Sequence, residues 1–144
     1  MVDVAEKPIS VRRATARAVC AMQHSTADSI RAGAVAKGEV LSVARLAGIM
    51  AAKRTDELIP LCHSLGLDSV QIEFNWRNPQ ELEILVHAQA TARTGVEMEA
   101  LCGASIAALT VYDMCKSTDR TLRVFDIQLL SKSGGSRGDF KLEE

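Results

Sequence analysis

The sequence predicts a single α+β domain in which helices pack on one face of an antiparallel sheet. Residues 70–76 and 82–90 alternate apolar and polar side chains with a period of two and flank a short turn, which is typical of a hairpin. Residues from 96 to about 117 are apolar almost all round, as in a buried helix. The 144 residues suit one domain, and its core must be aliphatic because only 3% of the residues are aromatic.

The first predicted elements are a strand and a short helix. Between residues 11 and 22, small apolar side chains alternate with arginine, threonine and valine, which predicts a strand with one basic face. Ser25 has the residue type of a helix N-cap, with Asp28 three residues on as a capping-box partner, and Gly33 is typical of a helix end. The sequence therefore predicts a short helix between Ser25 and Gly33.

A longer helix comes next, and a last strand follows the apolar helix. Apolar residues recur at helical spacing from 40 to about 54, and Thr55 caps a further turn that Pro60 ends. Residues 125–129 alternate as a strand does. The glycine- and serine-rich residues 131–138 predict a flexible loop that carries two cations.

The order of these elements is the βαββαβ, or ferredoxin-like, pattern. We expect one domain over residues 1–144 with flexible termini at about 1–10 and 132–144, the second of which forms part of a site. Phe74, Trp76, Leu85 and Leu130 suggest that apolar residues reach the open face of the sheet as well. A helix buried all round and a sheet with two apolar faces both indicate an oligomer.

Composition excludes several classes of function. The net charge of −1 argues against nonspecific nucleic-acid binding, which needs a broad positive field. The four cysteines form no C-x-x-C pair and each has apolar neighbours, so we expect reduced thiols in the cytoplasm. No apolar run is long enough to span a membrane, and residues 1–7 lack a signal-peptide pattern.

The segment 53–63 is the first candidate for chemistry. Lys53 and Arg54 bring two cations to a helix end, and His63 follows Cys62 in an irregular apolar stretch. The alternatives are a helix terminus whose dipole favours cations, and a structural histidine. Neither Cys62 nor His63 has a second metal ligand at usable spacing, so we predict no metal site.

The apolar helix carries the second candidate, because it contains Glu97, Glu99, Asp113 and Lys116. Glutamates in a first turn interact with the helix dipole, and Asp113 with Lys116 could be a plain surface pair. The surroundings are too apolar for unpartnered charges, which favours function. Glu99 and Asp113 stand about 21 Å apart along a continuous helix, so one pocket cannot hold both. Either the helix starts after Glu99, or the site is shared between subunits.

The glycine-rich tail is the third candidate. Lys132 and Arg137 flank Gly134 and Gly135, and glycines let backbone N–H groups converge on an anion. The spacing matches no phosphate-binding loop. The alternative is a disordered tail.

Eight segments, in order along the chain, resemble the molybdenum cofactor biosynthesis protein C family, whose members are cyclic pyranopterin monophosphate synthases. They are residues 2–4, 37–40, 44–49, 51–55, 58–63, 94–101, 107–116 and 132–135, with the sequences VDV, KGEV, ARLAGI, AAKRT, LIPLCH, TGVEMEAL, AALTVYDMCK and KSGG. The resemblance runs over nearly the whole chain. It implies a phosphorus–oxygen lyase that converts 3′,8-cyclo-7,8-dihydro-GTP to cyclic pyranopterin monophosphate and releases pyrophosphate. It also implies a hexamer of three dimers, with the active site at the dimer interface.

The resemblance implies the roles of individual residues as well. Asp113 and Lys116 match catalytic positions. The substrate-binding positions that it implies are Leu61, Cys62, His63, Met98, Glu99, Glu97, Lys37, Lys53, Lys132 and Arg12. A triphosphate needs several lysine and arginine donors, and ring opening and closure need groups that move protons. No cofactor is required, although Mg²⁺ could accompany the phosphates.

Two other classes of function fit the predicted fold. One is a noncatalytic ligand-binding or regulatory module, since a fold does not fix a function. Such a module would not explain Asp113 and Lys116 in apolar surroundings. The other is an RNA-binding module, which stacks bases on sheet aromatics, but Phe74 and Trp76 lack the motif that surrounds such aromatics.

Overall fold

The structure, a computed structural model, describes residues 1–143, which form five strands and four helices. In chain order these are β1 Ser10–Ala21, α1 His24–Arg31, α2 Val40–Lys53, α3 Thr55–Leu58, β2 Ser69–Asn78, β3 Glu81–Ala92, α4 Glu97–Cys115, β4 Arg123–Ser133 and β5 Phe140–Lys141. The strands form one antiparallel sheet in the order β2-β3-β1-β4-β5. The predicted α+β class is confirmed.

The centre of the sheet is β1, which lies between β3 and β4. It pairs with β3 along its whole length, from Ser10 opposite Ala92 to Ala21 opposite Glu81. Its inward residues are alanines and a cysteine, and α4 packs over β1, β3 and β4. The buried alanines that meet in this layer are Ala14, Ala16 and Ala18 of β1 with Ala100, Ala104, Ala107 and Ala108 of α4. Small side chains on both surfaces let the helix lie close to the sheet.

The helices α2 and α4 pack at a pair of glycines. A Cβ atom on Gly48 would lie 2.9 Å from the carbonyl oxygen of Gly103 and 2.5 Å from Cδ1 of Ile72. A Cβ atom on Gly103 would lie 3.3 Å from the carbonyl oxygen of Gly48. The two helix backbones therefore approach too closely for a side chain at Gly48, and a side chain at Gly103 would fit only if its neighbours shifted slightly. This contact holds α2 beside α4 on the same side of the sheet, over β2.

We expect Gly48→Ala to destabilise the fold by about 1–3 kcal/mol, because the new methyl group meets helix backbone that cannot move away without disturbing the core. Gly66→Ala is the matched control, since a Cβ atom there meets nothing within 4 Å. Urea titration gives the free energy of unfolding of both variants. Equal stability of the two would contradict the close contact between the helices.

The helix α4 is continuous, and only one broad side of it is buried. It begins at Glu97, so the possibility that it starts after Glu99 is excluded. On its other side, 52% of Leu109 and 53% of the Asp113 side chain are exposed. The expectation of a helix buried all round is therefore wrong for the single chain. The expectation that no apolar run is long enough to span a membrane is wrong for α4, which by length and composition is the one such helix within residues 1–143. It packs against the sheet, as the core helix of a globular domain does.

The side chains of Phe74 and Trp76 lie on the helix-covered face of the sheet. Both residues pair opposite core residues of β3. The guanidinium of Arg45 in α2 lies 5.1 Å from the centre of the Phe74 ring, and that of Arg31 in α1 lies 3.8 Å from the Trp76 ring. The expectation that these aromatics reach the open face is wrong, because the register of β2 turns them toward the helices, where arginines cover their rings.

The start of α1 is held by a residue from a distant part of the chain. Ser25 does not cap the helix. Instead the buried carboxylate of Asp119 accepts hydrogen bonds from the Gln23 backbone N–H at 2.9 Å and from the Thr26 hydroxyl at 3.0 Å. Burial alone would raise the pKa of Asp119, but these hydrogen bonds and those from the turn that follows it lower the pKa. The predicted capping box is therefore wrong, because a tertiary contact satisfies the helix end.

The tail is more regular than its composition predicts. β4 continues through Ser133, and Lys132 pairs opposite Ala14 of β1. β5 then pairs with Ser131 and Lys132. The prediction of a loop over residues 131–138 is therefore wrong for residues 131–133, which belong to β4. Backbone hydrogen bonds to neighbouring strands, which composition does not report, fix the position of Lys132.

Candidate active site

The predicted site residues lie in two groups at opposite ends of α4. Asp113 and Lys116 lie at its C-terminal end, and Lys37 contacts them there. Glu97 and Met98 lie in its first turn. The axial rise of an α-helix separates the two ends by about 24 Å. The continuous helix therefore supports the argument that one chain does not bring all of these residues into a single pocket.

The C-terminal group is a carboxylate that binds two lysines. Asp113 Oδ1 accepts a hydrogen bond from Lys116 Nζ at 2.6 Å, and Oδ2 accepts one from Lys37 Nζ at 2.8 Å. Lys37 Nζ also donates to the backbone carbonyl of Asp113 at 3.0 Å. All three side chains are about half exposed, so the expectation of apolar surroundings is wrong within one chain.

These two lysines keep Asp113 ionised. The hydrogen bond from Lys116, then that from Lys37, and the positive charges of both lower the pKa of Asp113 to about 2. In return, the hydrogen bond and the charge of Asp113 raise the pKa of Lys116. At neutral pH the group therefore presents ammonium donors that are oriented by a carboxylate and carries a net positive charge.

We expect the Asp113 carboxyl to titrate near pH 2, well below its ordinary value of 3.8. Because the pKa is lowered by folding, the ion pairs contribute their full stabilisation above about pH 4 and lose it as the pH falls toward 2. Carboxyl-carbon NMR against pH measures the midpoint. Lys37→Met should raise it, because one donor is removed, whereas Lys141→Met outside the group should not. A midpoint near 3.8 in the unmodified protein would contradict the pairing.

At the other end of α4, a cavity of about 110 Å³ has five cations among its twelve lining residues. The charged residues that line it are Lys7, Arg12, Arg13, Glu97, Lys132 and Arg137. Glu97 Oε1 accepts a hydrogen bond from Lys132 Nζ at 2.8 Å. Burial alone would raise the pKa of Glu97, but the hydrogen bond from Lys132 and the positive charges of Lys132 and Arg12 lower it. Five cations around one paired carboxylate suit a polyanion.

The deepest cation of this cavity is Arg12, whose residue is 6% exposed. Its Nε donates to the Ala92 carbonyl at 3.3 Å, and its Nη2 donates to the Arg93 carbonyl at 3.2 Å. Its Nη1 lies against Gly135, where a Cβ atom would come within 2.7 Å of it. The guanidinium is thus held by neutral carbonyls at the end of β3. A buried charge of this kind gains from an anion in the cavity beside it.

The tail closes over this cavity through Gly134. This residue has a φ of +91°, and a Cβ atom on it would overlap the backbone carbonyl of Val11. Its own carbonyl accepts a hydrogen bond from the Ser10 hydroxyl at 2.6 Å. Only glycine allows this left-handed turn so close to β1. The turn brings residues 135–138 to the rim of the cavity.

A second cavity of about 510 Å³ adjoins the first and is largely apolar. Its own lining residues are Val2, Val4, Ile59, Leu61, Cys62, His63, Leu65 and Met98. Five residues line both cavities: Lys7, Thr94, Gly95, Glu97 and Arg137. An apolar cavity with a few polar groups at one end suits a small heterocycle. The cationic cavity lies where an anionic group attached to that heterocycle would be.

His63 is already engaged in a hydrogen bond across the larger cavity. Its Nε2 lies 2.7 Å from the backbone carbonyl oxygen of Val2. A carbonyl oxygen only accepts, so Nε2 carries the proton and donates. His63 therefore ties the segment before β1 to the irregular stretch that follows α3.

Apart from the Asp113 group, two predicted site residues, Glu99 and Lys53, line neither cavity. Glu99 is 3% exposed, and its Oε2 has no hydrogen-bond partner among the described residues. Burial, and then the charges of Glu97 and Asp56, raise the pKa of Glu99. Its charge in turn adds to burial in raising the pKa of Cys62, so it lies close to a residue that does line the cavity. Lys53 is exposed and lines a separate surface depression with residues 65–70.

Several residues of the cavities were not predicted. Arg13 follows Arg12 on the strand whose basic face the alternation predicts, and that was its only signal. Thr94 and Gly95 stand in a recognised motif, and a Cβ atom on Gly95 would overlap the Glu97 carboxylate. Lys7 was not predicted as a site residue, because the residues before β1 were expected to form a flexible terminus.

The chain is similar to known proteins over nearly its whole length. Residues 1–135 match the family model described as the MoaC family. A protein of Mycobacterium tuberculosis named cyclic pyranopterin monophosphate synthase 1 is 51% identical over 141 residues, which cover 98% of this chain and 83% of the relative. The synthases of Desulfitobacterium hafniense and Herpetosiphon aurantiacus are 49% and 52% identical, over 100% and 98% of this chain and 88% and 87% of the relatives.

Proposed function

The chain belongs to the MoaC family, and we propose that it is a cyclic pyranopterin monophosphate synthase of molybdenum cofactor biosynthesis. The observation that carries the proposal is about 50% identity to proteins of that name over nearly the whole chain. The reaction is the conversion of 3′,8-cyclo-7,8-dihydro-GTP to cyclic pyranopterin monophosphate with release of pyrophosphate. As a class this is a phosphorus–oxygen lyase.

The two adjoining cavities support a division of the substrate into two parts. The triphosphate binds among the cations of the smaller cavity, with Arg12 and Lys132 as its deepest ligands. The purine-derived rings bind in the larger cavity, against Leu61, Cys62 and Met98. When a sugar hydroxyl attacks the α-phosphate, the cations stabilise the pyrophosphate that leaves.

The Asp113 group acts on the reacting rings. Lys116 and Lys37 are held on one carboxylate, and the pKa of Lys116 is raised by it. A carboxylate whose pKa is about 2 is a weak base at neutral pH, so Asp113 acts by orienting the lysines. A lysine whose pKa is raised is a weak proton donor at neutral pH, so we propose that Lys116 stabilises negative charge that develops on the reacting rings.

A site shared between two chains brings the separate groups together. The outer sides of α2 and α4 expose Val43, Leu46, Met50 and Leu109, which is an apolar surface suited to a partner. A twofold axis across the middle of α4 would set two copies antiparallel, so that the Asp113 end of one chain meets the Glu97 end of the other. We propose a homo-oligomer on this basis, a hexamer built as three dimers.

The same proposal extends to the fold, the compartment and the metal. The order β2-β3-β1-β4 with α2 and α4 on one face supports a ferredoxin-like fold, with β5 as an added edge strand. Four free cysteines support the cytoplasm, and no part of the proposal needs nucleic acid or a membrane. No group of three or more His, Cys, Asp or Glu side chains within residues 1–143 could hold a metal ion. Phosphate oxygens would therefore be the main ligands of any Mg²⁺.

The decisive experiment supplies the purified protein with 3′,8-cyclo-7,8-dihydro-GTP. We expect cyclic pyranopterin monophosphate and pyrophosphate in equal amounts, detected by mass spectrometry and a coupled pyrophosphate assay. Substrate incubated without protein is the control. A folded protein that binds the substrate and forms neither product would be a noncatalytic binding module, and the proposal would fail.

A further inference from the structure

The two lysines of the Asp113 group come from segments that are far apart in the chain. Lys116 lies at the C-terminal end of α4, whereas Lys37 lies in the connection between α1 and α2. Both side chains are about half exposed, and within the described residues their side-chain hydrogen bonds go only to Asp113. Long exposed side chains lose entropy when they are held in one position. The two lysines therefore stay on one carboxylate only if the backbone segments that carry them are fixed relative to each other.

The buried carboxylate of Asp119 joins these two segments. Asp119 is 1% exposed and lies in the turn that follows α4. Its Oδ2 accepts the hydrogen bonds from Gln23 and Thr26 at the start of α1. Its Oδ1 accepts hydrogen bonds from the Thr121 backbone N–H at 3.0 Å and from the Thr121 hydroxyl at 2.8 Å. Four donors thus satisfy both oxygens, and removal of the carboxylate would leave buried donors without a partner.

On the α4 side, Asp119 is one turn away from Lys116. The Asp119 backbone N–H donates to the Cys115 carbonyl at 2.9 Å, and the Thr118 backbone N–H donates to the same carbonyl at 3.0 Å. Cys115 is the last residue of α4 and immediately precedes Lys116, whose backbone N–H donates to the Tyr112 carbonyl at 2.8 Å. The backbone that carries Lys116 is therefore held between α4 and the turn that contains Asp119.

On the α1 side, ordered backbone leads from the helix to Lys37. At the end of α1, the Ala34 backbone N–H donates to the Ser29 carbonyl at 2.9 Å. Val35 then packs against the core, and its carbonyl accepts a hydrogen bond from the Gly38 backbone N–H at 2.9 Å. The turn that this bond closes contains Lys37. The position of α1 therefore sets the position of Lys37.

We propose that Asp119 is a positioning residue, which holds the start of α1 against the end of α4 and so keeps Lys37 on Asp113. Asp119 acts only through these contacts and not on the substrate. Without its carboxylate, α1 and the connection after it would shift relative to α4. Lys37 would then be displaced before Lys116, since Lys116 is carried by the same helix end as Asp113. The importance of this arrangement for catalysis rests on the proposed function, whereas the arrangement itself does not.

Asp119→Asn tests the proposal, because it keeps the size of the side chain and replaces an acceptor oxygen by an amide that donates. The readout is the midpoint of the Asp113 carboxyl titration, measured by carboxyl-carbon NMR. We expect it to rise from about 2 toward 3.8, by about one unit, because one neighbouring cation is displaced. On the proposed function, kcat for pyranopterin formation should also fall by about tenfold or more, because a small displacement of a reacting-site group is costly.

Thr26 offers a milder test with a matched control. Thr26→Val removes one donor to Asp119 and should raise the Asp113 midpoint by a smaller amount, whereas Thr26→Ser keeps the hydroxyl and should restore it. Thr55→Val is the control, since it also removes a buried threonine hydroxyl, one that donates to the Ala51 and Ala52 carbonyls at the other end of α2 from Lys37. Its midpoint should equal that of the unmodified protein.

Two outcomes would overturn the inference. One is an unchanged Asp113 midpoint in folded Asp119→Asn, and the other is an equal rise in Thr26→Val and Thr55→Val, which would reflect only a loss of stability. If Asp119→Asn does not fold, the comparison of Thr26→Val with Thr26→Ser decides in the same way. A midpoint that rises as expected in a protein that forms no pyranopterin product would refute the proposed function and leave the positioning role intact.

Discussion

Lys116→Ala is expected to lower the rate of pyranopterin formation by about a hundredfold to a thousandfold, which is the usual scale for loss of a positioned donor that stabilises developing negative charge. The side chain is half exposed, and its one side-chain partner among the described residues is Asp113. Its loss should therefore leave the fold and the assembly intact, because exposed ion pairs stabilise little. Single-turnover measurement with saturating substrate isolates the chemical step.

The control for Lys116→Ala is Lys141→Ala, which removes an exposed lysine outside the proposed site. Its turnover should equal that of the unmodified protein. Lys116→Arg adds a second comparison, because it keeps the charge and changes the geometry of the donor. Full activity in Lys116→Ala would remove the catalytic role proposed for the Asp113 group. A loss that is matched by a loss of thermal stability would indicate a structural role instead.

The second large effect is expected from mixing two inactive variants. Lys116→Ala alters the C-terminal end of α4, and Lys132→Ala alters the cationic cavity at the other end. If each site is built from two chains, a mixed dimer has one site with both lysines intact. Random reassortment of equal amounts should then restore about a quarter of the unmodified activity, because half of the dimers are mixed and each has one working site.

The formation of mixed dimers must be verified before the recovered activity is interpreted. Copies with distinct mass labels show by native mass spectrometry how many dimers contain both variants. Each variant that is unfolded, refolded and mixed only with itself should stay inactive. If verified mixed dimers show no recovery, the site lies within one chain, and the 24 Å between the ends of α4 would need another explanation, since about that separation follows from helix geometry alone.

Local patterns predicted most of the elements of this fold. The period of two in β2 and β3 and the apolar run of α4 are read directly from neighbouring residues. The predicted end of α2 near Lys53 is confirmed. The predictions were wrong where the end of an element is set by a contact with a residue or strand that is distant in the chain. Asp119 replaces the predicted cap of α1, and pairing with β1 extends β4 into a segment whose composition indicates a loop.

The candidate site, like the fold, could be predicted only in part. The residue types and the motifs around His63, Glu97 and Asp113 could be found in the sequence, because a family resemblance carries them. The contacts that these residues make could not be found in the sequence. Lys37 and Asp113 are 76 residues apart and Lys132 and Glu97 are 35 residues apart, so neither pair has a local signal. Lys7 was missed for the same reason, since only the folded chain brings it to the cavities.

The sequence by itself determined the α+β class, the existence of the apolar helix α4 and the consequence that, if this helix is continuous, its two ends cannot share one pocket. Each of these follows from periodicity and helix rise, which depend only on residues close in the chain. Only the tertiary structure decided that Asp113 binds two lysines, that five cations surround one small cavity and that Lys7 joins it to a second. Those contacts form when the sheet closes and brings distant segments together, and no local pattern encodes which segments meet.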